Sequence, residues 1–158
     1  MNLLPSKRHR ARKEESMQMA LCKYIMLKYP NVIFTAEASG VRTSYVDAAK
    51  LKMMRSPGAH ADMIILEPRG VYAGCILELK HAGKNPFRLD GTIRDDKHIR
   101  AQDEMIDRLR SKGYYSAFAV GLDQGMRIID HYMNQPPYGI RIERQRDPET
   151  VPEAGREK

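Results

Sequence analysis

Glu78 and Lys80 stand two positions apart at the end of the apolar run "CILELK" (75–80), and Asp62 opens a second apolar run, "ADMIILE" (61–67). Charges inside such runs are costly unless they are paired or bound to a metal. Strand side chains alternate between faces, so Glu78 and Lys80 point one way while Leu77 and Leu79 point into packing. The spacer "PRG" (68–70) suits a three-residue hairpin in which Glu67 pairs with Val71 and Asp62 falls opposite Ile76. That register puts Asp62, Glu78 and Lys80 on one face, the two acids being diagonal neighbours about 7–8 Å apart at the backbone. A two-residue loop would shift the register by one and separate them. Two carboxylates offering only oxygen donors suit Mg²⁺ or Mn²⁺ rather than zinc. An ammonium beside a metal-bound water orients it, assists its deprotonation or stabilises charge on a phosphate. The chemistry implied is phosphodiester hydrolysis. Taken alone, Glu78-Leu79-Lys80 reads first as an edge-strand ion pair.

The elements that must position these residues follow from periodicity. Lys13 to Lys28 reads as a helix, with Met17, Ala20, Leu21, Tyr24 and Leu27 at helical spacing. "NVIFTAE" (31–37) reads as a short strand, and "SYVDAAKLKMMR" (44–55) as a second helix ended by Pro57 and Gly58. Residues 81–97 form a polar loop long enough to suggest function. "HIRAQDEMIDRLRSKG" (98–113) is a helix with Ile99, Met105, Ile106 and Leu109 on one face and Gly113 as its stop. "YYSAFAVG" (114–121) is a strand, and "DQGMRIIDHYM" (123–133) a last helix capped by Asp123. The order α-β-α-β-β-α-β-α implies an α/β fold, a mixed central sheet flanked by helices.

Composition narrows the class of partner. The chain has 158 residues, 42% hydrophobic and 30% charged, with a net charge of +7. It is long enough for one domain with a real core, and its basic balance suggests a polyanionic partner such as nucleic acid, or an acidic membrane surface, with solubility alone as the plain alternative. Residues 1–13 read as a basic flexible arm, 14–135 as the folded domain and 136–158 as a polar tail of mixed charge. Cys22 and Cys75, both in apolar runs, read as reduced core thiols. No apolar stretch approaches the roughly 18 residues that span a bilayer. With no apolar segment after the basic start, the expected location is the cytoplasm, with no membrane partner.

Asp62, fifteen intervening residues, then Glu78-Leu79-Lys80 resembles the PD-(D/E)xK nuclease superfamily. Within it the chain is similar to the VRR-NUC family, through "EESMQMALCKYI", "GVRTS", "KLKMMRSPGAHADMIILEP", "GCILELK", "RAQDEMIDRLRSKGYYSAFAVG" and "IIDHYM" in that order, over roughly residues 14–133. The family pattern Pro-Gly-x-Pro-Asp is altered here: Pro57-Gly58 is followed by Ala59, His60 and Ala61 before Asp62. The resemblance implies an αβββαβ restriction-endonuclease-like core that binds Mg²⁺ or Mn²⁺. Asp62 and Glu78 would ligate the ion through carboxylates and Leu79 through its backbone carbonyl. Lys80 would be the catalytic lysine, and Gln102, in the first turn of its helix, would position phosphate or water. The family also carries an acid on the first helix three residues before a Gln. Glu15 and Gln18 fit that spacing, with Glu14 and Glu37 as alternatives.

DNA is the partner implied, held without sequence readout by Arg10, Arg12, Arg42, Lys84, Arg88, Arg94, Lys97, His98 and Arg100. Short stand-alone members resemble phage or prophage proteins and are similar to homodimeric Holliday-junction resolvases. A structure-selective endonuclease is therefore the sharper expectation. A nuclease for flaps, single strands or duplex, and a DNA-binding module without catalysis, are the alternatives. Against the last, acids repel DNA unless a cation intervenes.

Overall fold

The computed structural model describes residues 7–37 and 61–138, with Ser44, Lys50, Met53 and Met54 between them. Helix α1 spans Lys7–Lys28, so the expected basic arm is already helical from Lys7. Three strands follow, β1 (Phe34–Ala36), β2 (Met63–Ile65) and β3 (Cys75–Lys80). A short 3-10 turn, Ala82–Lys84, then leads by way of a loop to α2 (Lys97–Ser111), β4 (Tyr115–Val120) and α3 (Leu122–Met133). The helix expected over 44–55 falls largely outside the described residues. Among these, no helix is long and apolar enough to cross a membrane.

The four strands form one mixed sheet in the order β1-β2-β3-β4. β1, β2 and β3 are antiparallel neighbours, and β4 runs parallel to β3 after the crossover through α2. The alternation of side chains divides the sheet cleanly. Met63, Ile65, Cys75, Leu77, Leu79 and Ala119 pack with Met17, Leu21 and Ile25 of α1 and Ile129, Tyr132 and Met133 of α3. Ile64, Ile76, Glu78 and Ser116 face the other way, with Met105, Ile106 and Leu109 of α2 around a cavity of about 510 Å³. Cys75 is buried and Cys22 half-buried, both as free thiols.

Two expectations are corrected. The hairpin after β2 is a two-residue turn, Gly70-Val71, closed by hydrogen bonds between Arg69 and Tyr72 in both directions. Gly70 takes the left-handed conformation (φ 56°) that this turn requires. The faces nevertheless stay matched, because residues 66–68 oppose only 73–74 and the extra residue restores the parity. Around this interruption of the β2–β3 ladder the backbone finds other partners. Leu66 N–H donates to Ile33 O, Tyr132 Oη donates to Glu67 O, and Gly70 N–H donates to Pro136 O. The pairing that results is Met63 with Leu77, Ile64 with Ile76 and Ile65 with Cys75. One step further, Asp62 stands opposite Glu78 rather than Ile76. The second correction is the start of α3: its cap is Gly121, without a side-chain hydrogen bond, and Asp123 lies inside the first turn. Gln124 supplies the local contact instead, its Oε1 accepting from Val120 N–H at 2.6 Å.

The close crossing of α1 and α3 depends on Gly125. A Cβ there would stand 2.9 Å from a methyl of Leu21, which is fully buried. Beyond it, Asp130 clamps the end of α1, accepting from Tyr24 Oη, Tyr29 Oη and Lys28 Nζ at 2.6, 2.7 and 2.8 Å. Gly125→Val overpacks the crossing and should destabilise the fold by about 1–3 kcal/mol. The expected readout is a lower urea midpoint at unchanged denaturant slope.

Candidate active site

The site is built where β2 begins and β3 ends. Asp62 precedes β2, and its Oδ2 accepts from Leu79 N–H on β3 at 2.7 Å. Glu78 and Lys80 share the face toward α2, and Lys80 Nζ donates to Glu78 Oε1 at 2.7 Å. Both are almost wholly buried, 8% and 6% exposed, so the pair is desolvated and not the edge-strand ion pair that its sequence alone resembled. Gln102 Nε2 donates to the same Glu78 oxygen. It does so from the second turn of α2, not the first, since that helix starts at Lys97 behind an Asp96 cap. Beneath Lys80 lies the Phe118 ring, 5.9 Å from Nζ.

Helix α1 closes the site from the other side. Glu14, Gln18, Leu21 and Ile25 recur at spacings of four, three and four, on the face that enters the core. Gln18 Nε2 donates to Glu37 O at 2.8 Å and to Asp62 O at 2.6 Å, fixing the backbone from which the Asp62 carboxylate projects. That face presents Glu14 to the acids, whereas Glu15 is exposed. Of the two helix acids, Glu14 is the one felt by Asp62 and Glu78, because a spacing of four from Glu14 to Gln18 keeps both on one side of the helix. Glu37 borders the cavity beside Glu78.

Packing three acids near one another has an electrostatic consequence. Burial pushes the Glu78 carboxyl up to about 7, the charge of Asp62 adds to the rise, and Lys80 opposes it. Burial also raises Asp62, against the Leu79 N–H and Lys80, while Glu14 and Glu37 add to it. A cation between Asp62 and Glu78 would relieve this repulsion. The donors present fit a hard one. Leu79 directs its N–H, and with it its C=O, to the edge occupied by Asp62. Gln102 Oε1 is buried without a hydrogen-bond partner. Among the described residues, no three His, Cys, Asp or Glu side chains group closely enough to hold an ion by themselves. The remaining ligands would thus be amide or carbonyl oxygens and water, the coordination Mg²⁺ favours.

The expected cationic contacts divide by position. Lys84, Arg94 and His98 border, with Lys80 and Glu14, a cavity of about 410 Å³ on the far side of the lysine. Lys84 Nζ lies 3.9 Å from Glu14. Arg88, Lys97 and Arg100 are exposed and do not line it, and Arg100 pairs with Asp95 at 3.3 Å. Arg42 lies outside the described residues, as do the side chains of Arg10 and Arg12 in the first turns of α1. Two contributors had no role in the sequence reading. Gln18 was visible only as a spacing mark, although its place four residues after Glu14 on an apolar face signals an inward polar group. Phe118 was indistinguishable from any other strand aromatic.

These elements define a restriction-endonuclease-like α/β domain, with one mixed sheet between helices and the acids and lysine gathered at the end of its central strands. Among solved structures the chain is similar to one described as a VRR_NUC domain protein. The TM-score is 0.59 and the identity 22%, over 79% of this chain and 91% of that one. At that identity the likeness is one of fold. No family model and no curated protein matches the sequence.

Proposed function

We propose that this protein is a divalent-cation-dependent nuclease that hydrolyses DNA phosphodiester bonds. The observation that carries the reading is the convergence of half-buried Asp62 with the buried Glu78 and Lys80, where Lys80 also borders a cavity lined by further cations. Asp62 and Glu78 would hold Mg²⁺ or Mn²⁺, with Leu79 O and Gln102 Oε1 as further donors. When bound, such an ion polarises the phosphate and lowers the pKa of the attacking water. Lys80 Nζ exchanges its bond to Glu78 for one to that water or to a phosphate oxygen, where negative charge builds. Water oxygen bonds to phosphorus as one P–O ester bond breaks. The attacking water's proton passes to solvent, and the departing oxygen takes a proton from solvent. Lys84, Arg94 and His98 hold the neighbouring backbone through phosphate contacts that carry no sequence information. A binding module without chemistry is disfavoured by the same geometry, since Glu14, Asp62 and Glu78 would repel the ligand without a cation.

The finer reading is a homodimeric enzyme selective for branched DNA, of Holliday-junction-resolvase type. A four-way junction has two-fold symmetry, and each chain offers one site, so paired cuts need two copies. This step rests on analogy of fold. The test is a panel of labelled four-way junctions, flaps, single strands and duplexes incubated with Mg²⁺, Mn²⁺ or EDTA. Cation-dependent cutting, strongest on junctions, is expected. Cutting confined to flaps, single strands or duplex would replace the junction preference and keep the chemistry. No cutting of any DNA would remove both.

A further inference from the structure

The loop between the catalytic strand and α2 is an ordered hairpin whose tip is an isolated leucine. Phe87 bridges to Ile93, Arg88 N–H donates to Thr92 O at 2.8 Å, and Gly91 N–H to Arg88 O at 3.0 Å. Asp90 Oδ1 accepts from both Thr92 N–H and Thr92 Oγ1, at 2.9 and 2.6 Å. Arg94 ties the base, its Nε donating to Asn85 O at 2.7 Å. Pro86 is buried, and Phe87 packs edge-on against Phe118, with centroids 5.8 Å apart. Phe118 is the ring beneath Lys80 Nζ. The hairpin is thus seated on the same side chain as the reactive ammonium, and its tip holds a fixed position relative to it.

At that tip Leu89 is 110% exposed, more than in an extended chain. Single exposed apolar residues are ordinary. Leu89 differs in where it stands. Val71 (79% exposed) belongs to the turn at the opposite end of β3, and Leu27 (85%) lies far along α1 from Glu14, roughly 20 Å at 1.5 Å per residue. Leu89 is the most exposed large apolar side chain among the described residues, and it stands on the hairpin that follows the catalytic end of β3, next to exposed Arg88 and above a base tied by Arg94. A leucine that follows an exposed arginine at the tip of an ordered hairpin, with Arg94 at its base and the Asp90 carboxylate turned back onto Thr92, suits an apolar wedge that enters a disrupted base step while cations hold nearby phosphates.

We propose that Leu89 is a specificity-determining wedge that packs against an unstacked base at a branch or discontinuity in DNA and so seats the adjoining phosphodiester at Asp62, Glu78 and Lys80. The proposal rests on the nuclease reading for the second clause only. A regular duplex offers no open step for the leucine, so the wedge favours branched DNA over linear duplex.

The test compares the full-length protein with Leu89→Ala and with the conservative Leu89→Met. One readout is 2-aminopurine fluorescence, with the probe at the branch point of a four-way junction and Ca²⁺ replacing Mg²⁺. The other is the ratio of junction to duplex cleavage in Mg²⁺. Wild type and Leu89→Met should brighten the probe on binding. Leu89→Ala should lose that rise and at least about five-fold of the cleavage ratio, with duplex cleavage little changed. A fluorescence rise without cleavage of any DNA would support the wedge while removing the nuclease reading. An unchanged ratio and an unchanged rise in Leu89→Ala would overturn the wedge and leave the nuclease reading intact. Conversion of a dimer to a monomer by Leu89→Ala, seen by sedimentation, would also overturn it, since Leu89 would then be a contact between copies.

Discussion

Lys80→Ala is expected to cleave DNA about a thousand-fold more slowly than wild type at saturating Mg²⁺, with DNA affinity little changed. Burial of the ammonium explains both halves of that result. It is 6% exposed, so it contributes little to the electrostatic surface that attracts DNA, which the exposed Arg88, Lys97 and Arg100 maintain. Its only hydrogen bond among those described goes to Glu78, so its position is set for the reacting atoms and not for the strand as a whole. The comparison needs circular dichroism on the same samples, because the variant leaves Glu78 with Gln102 as its remaining donor. Equal losses of binding and cleavage would make Lys80 a contact for DNA rather than for the reaction.

Glu78→Gln should abolish cleavage and, in EDTA, make the protein more stable at pH 8. The folded protein holds the Glu78 proton up to about 7, whereas the ordinary value is 4.5. Below 4.5 both folded and unfolded chains are protonated there and the group is neutral in effect. Between 4.5 and about 7 the unfolded chain ionises first, so stability falls as pH rises, by on the order of 3 kcal/mol across the window. The raised Asp62 carboxyl acts in the same direction. Glutamine removes the ionisation while keeping the shape, so the decline should flatten in thermal unfolding measured from pH 4.5 to 8. Mn²⁺ should raise the melting temperature of wild type at pH 8 and not that of the variant, since a ligand that binds only the folded state stabilises it. A wild-type stability that rises over this window would contradict the burial that defines the site.

Much of this arrangement is legible in the sequence because strand alternation is local. Glu78 and Lys80 had to share a face, and Leu77 and Leu79, alternating with them, had to point to the other, whatever the rest of the chain did. Helix α2 and strand β4 were equally plain, since each is a long periodic segment. What was hidden depends on distant partners. The register of Asp62 depends on the extra residue among 66–68, whose backbone bonds to Ile33 and Tyr132, and no rule of turn chemistry contains those contacts. Glu14 and Glu15 are equivalent until the core shows which side of α1 is buried. Gly121 displaced Asp123 as a cap because the backbone turned at φ 78°, which a glycine supplies without steric cost. The pattern is that the face each strand residue occupies was readable, while the pairing that brings the faces together was not.

The central claim is that a cation held by Asp62 and Glu78 drives phosphodiester hydrolysis. The most direct measurement is the cleavage rate of the labelled DNA panel in saturating Mn²⁺, for wild type and for the Asp62→Ala/Glu78→Ala double variant. The account predicts cutting by wild type, its loss in EDTA, and none by the double variant while that variant still binds DNA. Cutting by the double variant at a rate near wild type would contradict it.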